Sequence, residues 1–133
     1  MPYLIDSDWL IDHLAGLPQA VELLDGLAPE GLAISIITFM EVSQGVERSP
    51  DPETARAKLS AVLDAVPVIP FETALAERCA RLRETLRQQG KRVNSRALDL
   101  IIAATAIEHD LTLVTRNFED YEDIPNLKLY QIK

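Results

Sequence analysis

Asp99 lies in the run Ala97-Leu98-Asp99-Leu100-Ile101-Ile102-Ala103-Ala104-Thr105-Ala106-Ile107, and no other feature limits the possible folds so tightly. The spacing predicts a helix over Arg96–His109 that is apolar on nearly all sides, and such a helix belongs in the middle of a fold, covered by other layers. The longest apolar stretch, near Leu100–Ile107, falls well short of the about 20 residues needed to cross a bilayer, so burial in protein is the expectation. An ionised carboxylate there is costly unless a cation or strong donors satisfy it. Two readings stay open at this point: an ion pair with Arg96 or Arg92, or a carboxylate at the floor of a metal site.

The rest of the chain supplies the covering layers. Tyr3-Leu4-Ile5 reads as a strand ending at Asp6, followed by helices over Ser7–Ala15 and Gln19–Leu27. Leu32–Ile36 reads as a second strand, Thr38–Glu47 as a helix, and Pro52 opens a helix running to about Asp64. Val66–Ile69 is a third strand between prolines. Glu72–Gln89 carries an apolar stripe at Leu75, Cys79, Leu82 and Leu86 before Gly90 ends it. Leu111–Thr115 is a fourth strand, and Lys128–Ile132 a fifth at the edge. This alternation predicts an α/β fold, a three-layer α/β/α sandwich with a mainly parallel central sheet. No linker divides residues 1–133, so one domain is expected. The single Cys79 cannot form an internal bridge, and the start lacks a basic leader, so a reducing cytoplasm is the expected location.

The formal net charge of −8 argues at first against a polyanionic partner. Its distribution argues otherwise. Residues 1–47 hold eight acids and no Lys or Arg, whereas residues 78–96 hold seven basic residues against one acid, Glu84. The question becomes what the acids are for.

In open α/β sheets, ligands bind at the carboxyl ends of parallel strands. Asp6 occupies such an end, where it can cap the following helix or face a ligand; Asp8 reads as a first-turn acid favourable to the helix dipole. Glu41 follows the second strand, and Thr38-x-x-Glu41 has the form of a capping box, although the same residue can face the site toward which Asp6 points. After the fourth strand, Thr115 and Asn117 can make local bonds to the backbone, while Asn117 and Asp120 can also add oxygen donors. Carboxylates that converge without His or Cys suit Mg²⁺, with Mn²⁺ as substitute, rather than zinc. Clustered carboxylates raise one another's pKa, so their proximity makes physical sense with a divalent cation. Such an ion polarises a phosphodiester and activates water.

The ordered set Leu4-Ile5-Asp6-Ser7-Asp8, Ser35-Ile36-Ile37-Thr38-Phe39-Met40-Glu41, Leu98-Asp99-Leu100-Ile101-Ile102-Ala103-Ala104-Thr105-Ala106 and Leu113-Val114-Thr115-Arg116-Asn117-Phe118-Glu119-Asp120-Tyr121 resembles PIN-domain ribonucleases, particularly VapC-type toxins of toxin–antitoxin pairs. The resemblance covers nearly the whole chain. It implies an α/β/α sandwich, Mg²⁺-dependent endoribonuclease activity on RNA, a homodimer, and inhibition by a cognate antitoxin through which DNA is met only indirectly. Its metal-binding acids fall on Asp6, Glu41 and Asp99. Many relatives of this kind have Asp where this chain has Asn117, which leaves Asp120 as the nearest acid and one Mg²⁺ as the expectation. Thr38 and Thr115 would orient carboxylates or contact phosphate. Arg87, Lys91, Arg92 and Arg96, with Arg116, would reach RNA phosphates, although Arg and Lys beside the Leu75–Leu86 stripe can equally serve only to solvate that helix. Three Phe, three Tyr and one Trp do not furnish an extensive base-stacking surface, so RNA shape would guide recognition.

Three rivals are weighed against this. A phospho-acceptor receiver domain needs a Lys near its last strand, and none lies between Asp99 and Asn126. A Mg²⁺-dependent phosphatase could use Asp6-x-Asp8 but lacks a counterpart for its lysine and cap. A non-catalytic PIN-like binding module differs only in whether the site holds metal.

Overall fold

A computed structural model describes residues 2–132. Five strands form one sheet in the order β3-β2-β1-β4-β5, with every neighbouring pair parallel. The strands are β1 (Tyr3–Ile5), β2 (Leu32–Ser35), β3 (Val68–Ile69), β4 (Thr112–Val114) and β5 (Lys128–Leu129). The helices are α1 (Ser7–Leu14), α2 (Pro18–Leu27), α3 (Ile36–Arg48), α4 (Pro52–Leu63), α5 (Thr73–Gln88) and α6 (Ala97–Glu108). The expected sandwich is the observed architecture.

Strand periodicity assigns the layers. Leu4, Ala33 and Leu113 point to a core shared with α5 and α6, where Cys79, Leu82, Leu86, Leu100 and Ala103 are buried. Their neighbours Ile5, Ile34 and Val114 point the other way, into a core with Trp9, Leu10, Leu24, Val42 and Leu59 from α1, α2, α3 and α4. The three central strands β1, β2 and β4 are thus apolar on both faces, as a covered parallel sheet requires. Helix α6 is buried along most of its length, with Leu100 and Ile102 through Ala106 inside, but not on all sides as expected: Leu98 in its first turn is exposed. Gly90, at φ +73°, takes the left-handed turn after α5, a conformation glycine adopts without steric cost.

Several boundaries differ from the sequence reading. β3 begins at Val68 because Pro67 has no N–H to give the ladder; its carbonyl accepts from Ile34 N at 3.0 Å. β5 is two residues long, with Tyr130 N still donating to Leu113 O at 2.9 Å. β2 stops at Ser35, whose hydroxyl accepts from Thr38 N at 3.1 Å and caps α3. Ser35, not Thr38, is therefore the N-cap, and no Thr38–Glu41 capping box forms. Among the described residues no helix is long and apolar enough to cross a membrane.

The chain runs β1 to β2 to β3 toward one edge, then returns through α5 and α6 to place β4 on the other side of β1. The strand order reverses between β1 and β4. At that point connections depart in opposite directions and leave a crevice beyond the carboxyl ends of the strands.

Candidate active site

Asp6 ends β1 at this crevice and caps α1, so both readings of it hold together. Its Oδ1 accepts from Ser7 N at 2.9 Å, and its Oδ2 accepts from Thr115 Oγ1, at the end of β4, at 2.7 Å. Thr115 Oγ1 in turn accepts from Asn117 N at 3.0 Å, so a relay of donors crosses from β4 to β1. Ser7 Oγ donates to Glu41 Oε1 at 2.8 Å and joins α1 to α3. Asp99, in the first turn of α6, accepts from Tyr121 Oη at 3.1 Å.

Burial pushes the Asp6 carboxyl above its ordinary value, against the pull of Thr115 and Ser7. Burial also raises Asp99, opposed by the Tyr121 bond and reinforced by the negative charges of Asp120, Asp6 and Glu41. Tyr121 is fully buried; burial and the charges of Asp6 and Asp99 push its phenol up, which leaves it an O–H donor throughout the accessible pH range. The three acids therefore share one field. Among the described residues none of Asp6, Glu41 and Asp99 forms an ion pair.

The ion-pair reading of Asp99 fails because the arginines nearest in sequence are committed elsewhere. Arg92 Nη2 donates to Asp120 Oδ1 at 2.8 Å. Arg96 is 2% exposed and holds Asp123 through both carboxylate oxygens, at 2.5 and 3.0 Å, while also donating to the backbone oxygens of Arg92 and Asp120. A guanidinium so enclosed has no face to offer a phosphate, which corrects the placing of Arg96 on an RNA-facing surface. Thr38 is also buried, with its hydroxyl accepting from Ser35 Oγ at 3.4 Å, so it orients no carboxylate here.

The remaining candidates are at or near the surface. Asn117 Nδ2 donates to Asp120 Oδ2 at 2.5 Å, and the Arg92 bond is the main cause that holds the Asp120 carboxyl below its ordinary value. Arg87 is engaged by both oxygens of Glu84 at 2.7 and 2.8 Å, and Lys91 Nζ donates to Asp123 O at 3.0 Å. Arg116 pairs with Asp12. Sequence reasoning overlooked Ser7 and Tyr121. The one signal for Ser7 was a polar residue beside Asp6; for Tyr121 it was an aromatic set among Glu119, Asp120, Glu122 and Asp123.

The donor set is oxygen-only and anionic, which fits a hard divalent cation. Among the described residues no three acids, histidines or cysteines already stand at ligating spacing. Asp99 Oδ2 and Glu41 Oε2 make no hydrogen bond among the described residues.

Fold and site together define the class: a doubly wound α/β protein whose switch point carries acids that pair with no basic side chain among the described residues. The comparisons then place it. The PIN domain family model matches residues 3–126. The chain is 36% identical over 131 residues to "Ribonuclease VapC2" of Rickettsia felis, covering 97% of this chain and 96% of that one. It is 26% identical over 129 residues to "tRNA(fMet)-specific endonuclease VapC" of Salmonella typhimurium, covering 97% of this chain and 96% of that one. The crystal structure of VapBC2 from Rickettsia felis bound to a promoter DNA fragment superposes with a TM-score of 0.86 at 30% identity, over 100% of both chains. The chain belongs to the PIN-domain family, in its VapC branch.

Proposed function

We propose that this chain is a Mg²⁺-dependent endoribonuclease and the toxin of a toxin–antitoxin pair. The observation that carries this reading is the group Asp6, Glu41 and Asp99: three carboxylates in one field at the β1–β4 crevice, with every nearby guanidinium committed to another acid. The activity borne in the names of similar proteins supports it. Asp6, Glu41 and Asp99 would hold Mg²⁺, or Mn²⁺ in its place, with Asn117 and Asp120 at the rim. When bound, the ion supplies Lewis-acid polarisation of a phosphodiester and acidifies a water for attack.

The chain's own residues hold the carboxylates in place. Thr115 and Ser7 fix both oxygens of Asp6, Ser7 ties Glu41 to α1, and Tyr121 engages one oxygen of Asp99. Asn117 tethers Asp120, which Arg92 keeps ionised. Lys91 and Arg92, beside Asp123 and Asp120, would supply positive charge toward an RNA backbone, and Arg87 would join them on parting from Glu84.

Solved VapBC complexes among the similar structures support an antitoxin partner. An apolar groove between α1, α3 and α4, lined by Ile11, Leu14, Val42, Val46 and Ala55, offers such a partner an uncovered surface. A second copy of the chain would cover exposed Phe71 and Leu98 near α5 and α6.

The test incubates purified protein with structured and single-stranded RNA, in Mg²⁺ or in EDTA, beside an Asp99→Asn variant. Cleavage in Mg²⁺ that both EDTA and the substitution abolish is expected. Cleavage that survives both would sink the metal mechanism, and a folded protein that binds Mg²⁺ yet cleaves no RNA would favour the binding-module reading.

A further inference from the structure

Arg116 follows Thr115 at the end of β4 and precedes Asn117, so it stands beside the crevice. Its guanidinium carbon lies over the Trp9 ring, 3.8 Å from the centroid, and its Nη1 donates to Asp12 Oδ2 at 2.6 Å. Trp9 is 5% exposed, whereas the Arg116 side chain retains 38%. The guanidinium is therefore backed by indole, on a side chain that stays partly open to solvent. Two contacts with side chains of α1, Asp12 and Trp9, hold the flat group at the rim.

This arrangement suits a particular ligand chemistry. A phosphate is bound by in-plane N–H groups, and here Asp12 already engages Nη1 in that plane and offsets the charge. The face turned away from Trp9 is open to a flat ligand. Unpaired bases stack on aromatic rings and on arginine planes in single-stranded RNA recognition, and stacking onto a group already fixed in place incurs little ordering entropy. The chain's single Trp backs this plane instead of facing the RNA itself.

We propose that the outer face of Arg116, backed by Trp9 and held by Asp12, is the platform on which one unpaired nucleobase stacks beside the cleaved phosphodiester. The proposal rests on the ribonuclease reading and adds to it a base-contacting subsite where the sequence pointed only to a phosphate contact.

The test takes a single-stranded RNA that the wild type cleaves and resynthesises it with one abasic nucleotide at each position around the cleaved bond. Wild-type kcat/KM falls on the order of tenfold at one position and little at the others. Arg116→Lys keeps the charge and lacks the plane; it loses about as much on intact RNA and nothing further on the sensitive abasic RNA. Arg116→Gln keeps a planar group without charge and falls between wild type and Lys. Near-wild-type activity of Lys with Gln the weakest, or equal loss at every abasic position, identifies a phosphate contact and overturns the platform.

Trp9 emission gives a readout independent of turnover, because it reports the stack directly. In an Asp99→Asn background, intact RNA shifts the emission and RNA abasic at the sensitive position does not; identical responses to the two RNAs overturn the proposal. Wild-type cleavage that ignores every abasic site removes the platform alone. A wild type that neither binds nor cleaves any RNA removes the ribonuclease reading and the platform with it.

Discussion

The crevice between β1 and β4 and the segment from Arg78 to Arg96 carry opposite charge, and the fold treats them in opposite ways. In the crevice, Asp6 and Asp99 are raised by burial and meet only neutral donors. In the basic segment Arg78, Arg87, Arg92 and Arg96 are each paired with a carboxylate. The run of positive charge that looks available in the sequence is largely spent on the protein itself, and the acids are left unanswered. A charge is informative about ligands when the fold declines to neutralise it.

The largest expected effect separates the two regions. On the proposed reading Asp99→Asn removes a carboxylate that would hold the ion, and cleavage should fall by roughly a thousandfold, about 4 kcal/mol in the barrier. The folded state should not suffer, because the substitution also removes a half-buried charge that holds a single hydrogen bond among the described residues. Rate and urea midpoint measured together check both halves, and a variant that loses activity only because it unfolds would break the distinction.

Next comes Arg96→Met. It strips the partner from Asp123 and leaves the backbone oxygens of Arg92 and Asp120 without a donor. Breaking a buried ion pair from one side costs about 3–5 kcal/mol, and the lower end applies because Asp123 remains one-third exposed. Urea unfolding measures the loss. The same guanidinium was read from the sequence as a phosphate ligand, and a stability change below about 1 kcal/mol would restore that reading.

Legibility in the sequence divides along the same line. Asp6 and Asp99 were legible because each breaks a local pattern, one at the end of an apolar strand and the other inside an apolar helix. The sandwich was legible because both periodicities are strong. The partner of Arg96 was not: Asp123 lies 27 residues away, and nothing local distinguishes it from Asp99, three residues on. The cap of α3 was missed by reading β2 one residue too long, which moved the N-cap from Ser35 to Thr38. Tyr121 and the Trp9–Arg116 contact depend on which strands are neighbours, a fact of topology that no window of sequence contains.

Stability against pH sharpens the comparison, because the two regions have opposite sign. Asp6 and Asp99 are raised in the fold, so the native state binds more protons and the metal-free protein gains stability as pH falls from neutrality through their raised values toward 3.8. Asp120 and Asp123 are lowered by their arginines, so their contribution is present above 3.8 and lost as pH falls through the folded values. In EDTA the melting temperature should therefore rise on mild acidification and then collapse. Mg²⁺ at a hundred times its Kd should add about 2.7 kcal/mol at neutral pH and flatten the rise. A profile in EDTA that falls steadily from neutrality would place the acids on the compensated side.

The smallest effect tests whether the basic segment can be converted into an open surface. Glu84 holds Arg87 with two bonds, and that bonding keeps the Glu84 carboxyl down to about 2. Both side chains are exposed, so Glu84→Gln should leave the urea midpoint unchanged. It frees one guanidinium for phosphate. RNA affinity should rise modestly, and the slope of log affinity against log salt should steepen by about 0.7, one additional single-strand contact. An unchanged slope would mean that Arg87 lies off the RNA path, whereas an unchanged slope together with Arg87→Ala weakening binding would mean that the pair opens on its own when RNA arrives. In that second case the basic segment is only conditionally neutralised, and what sets it apart from the crevice is burial: an exposed pair exchanges partners at little cost, while Asp99 can be answered only by what enters the crevice.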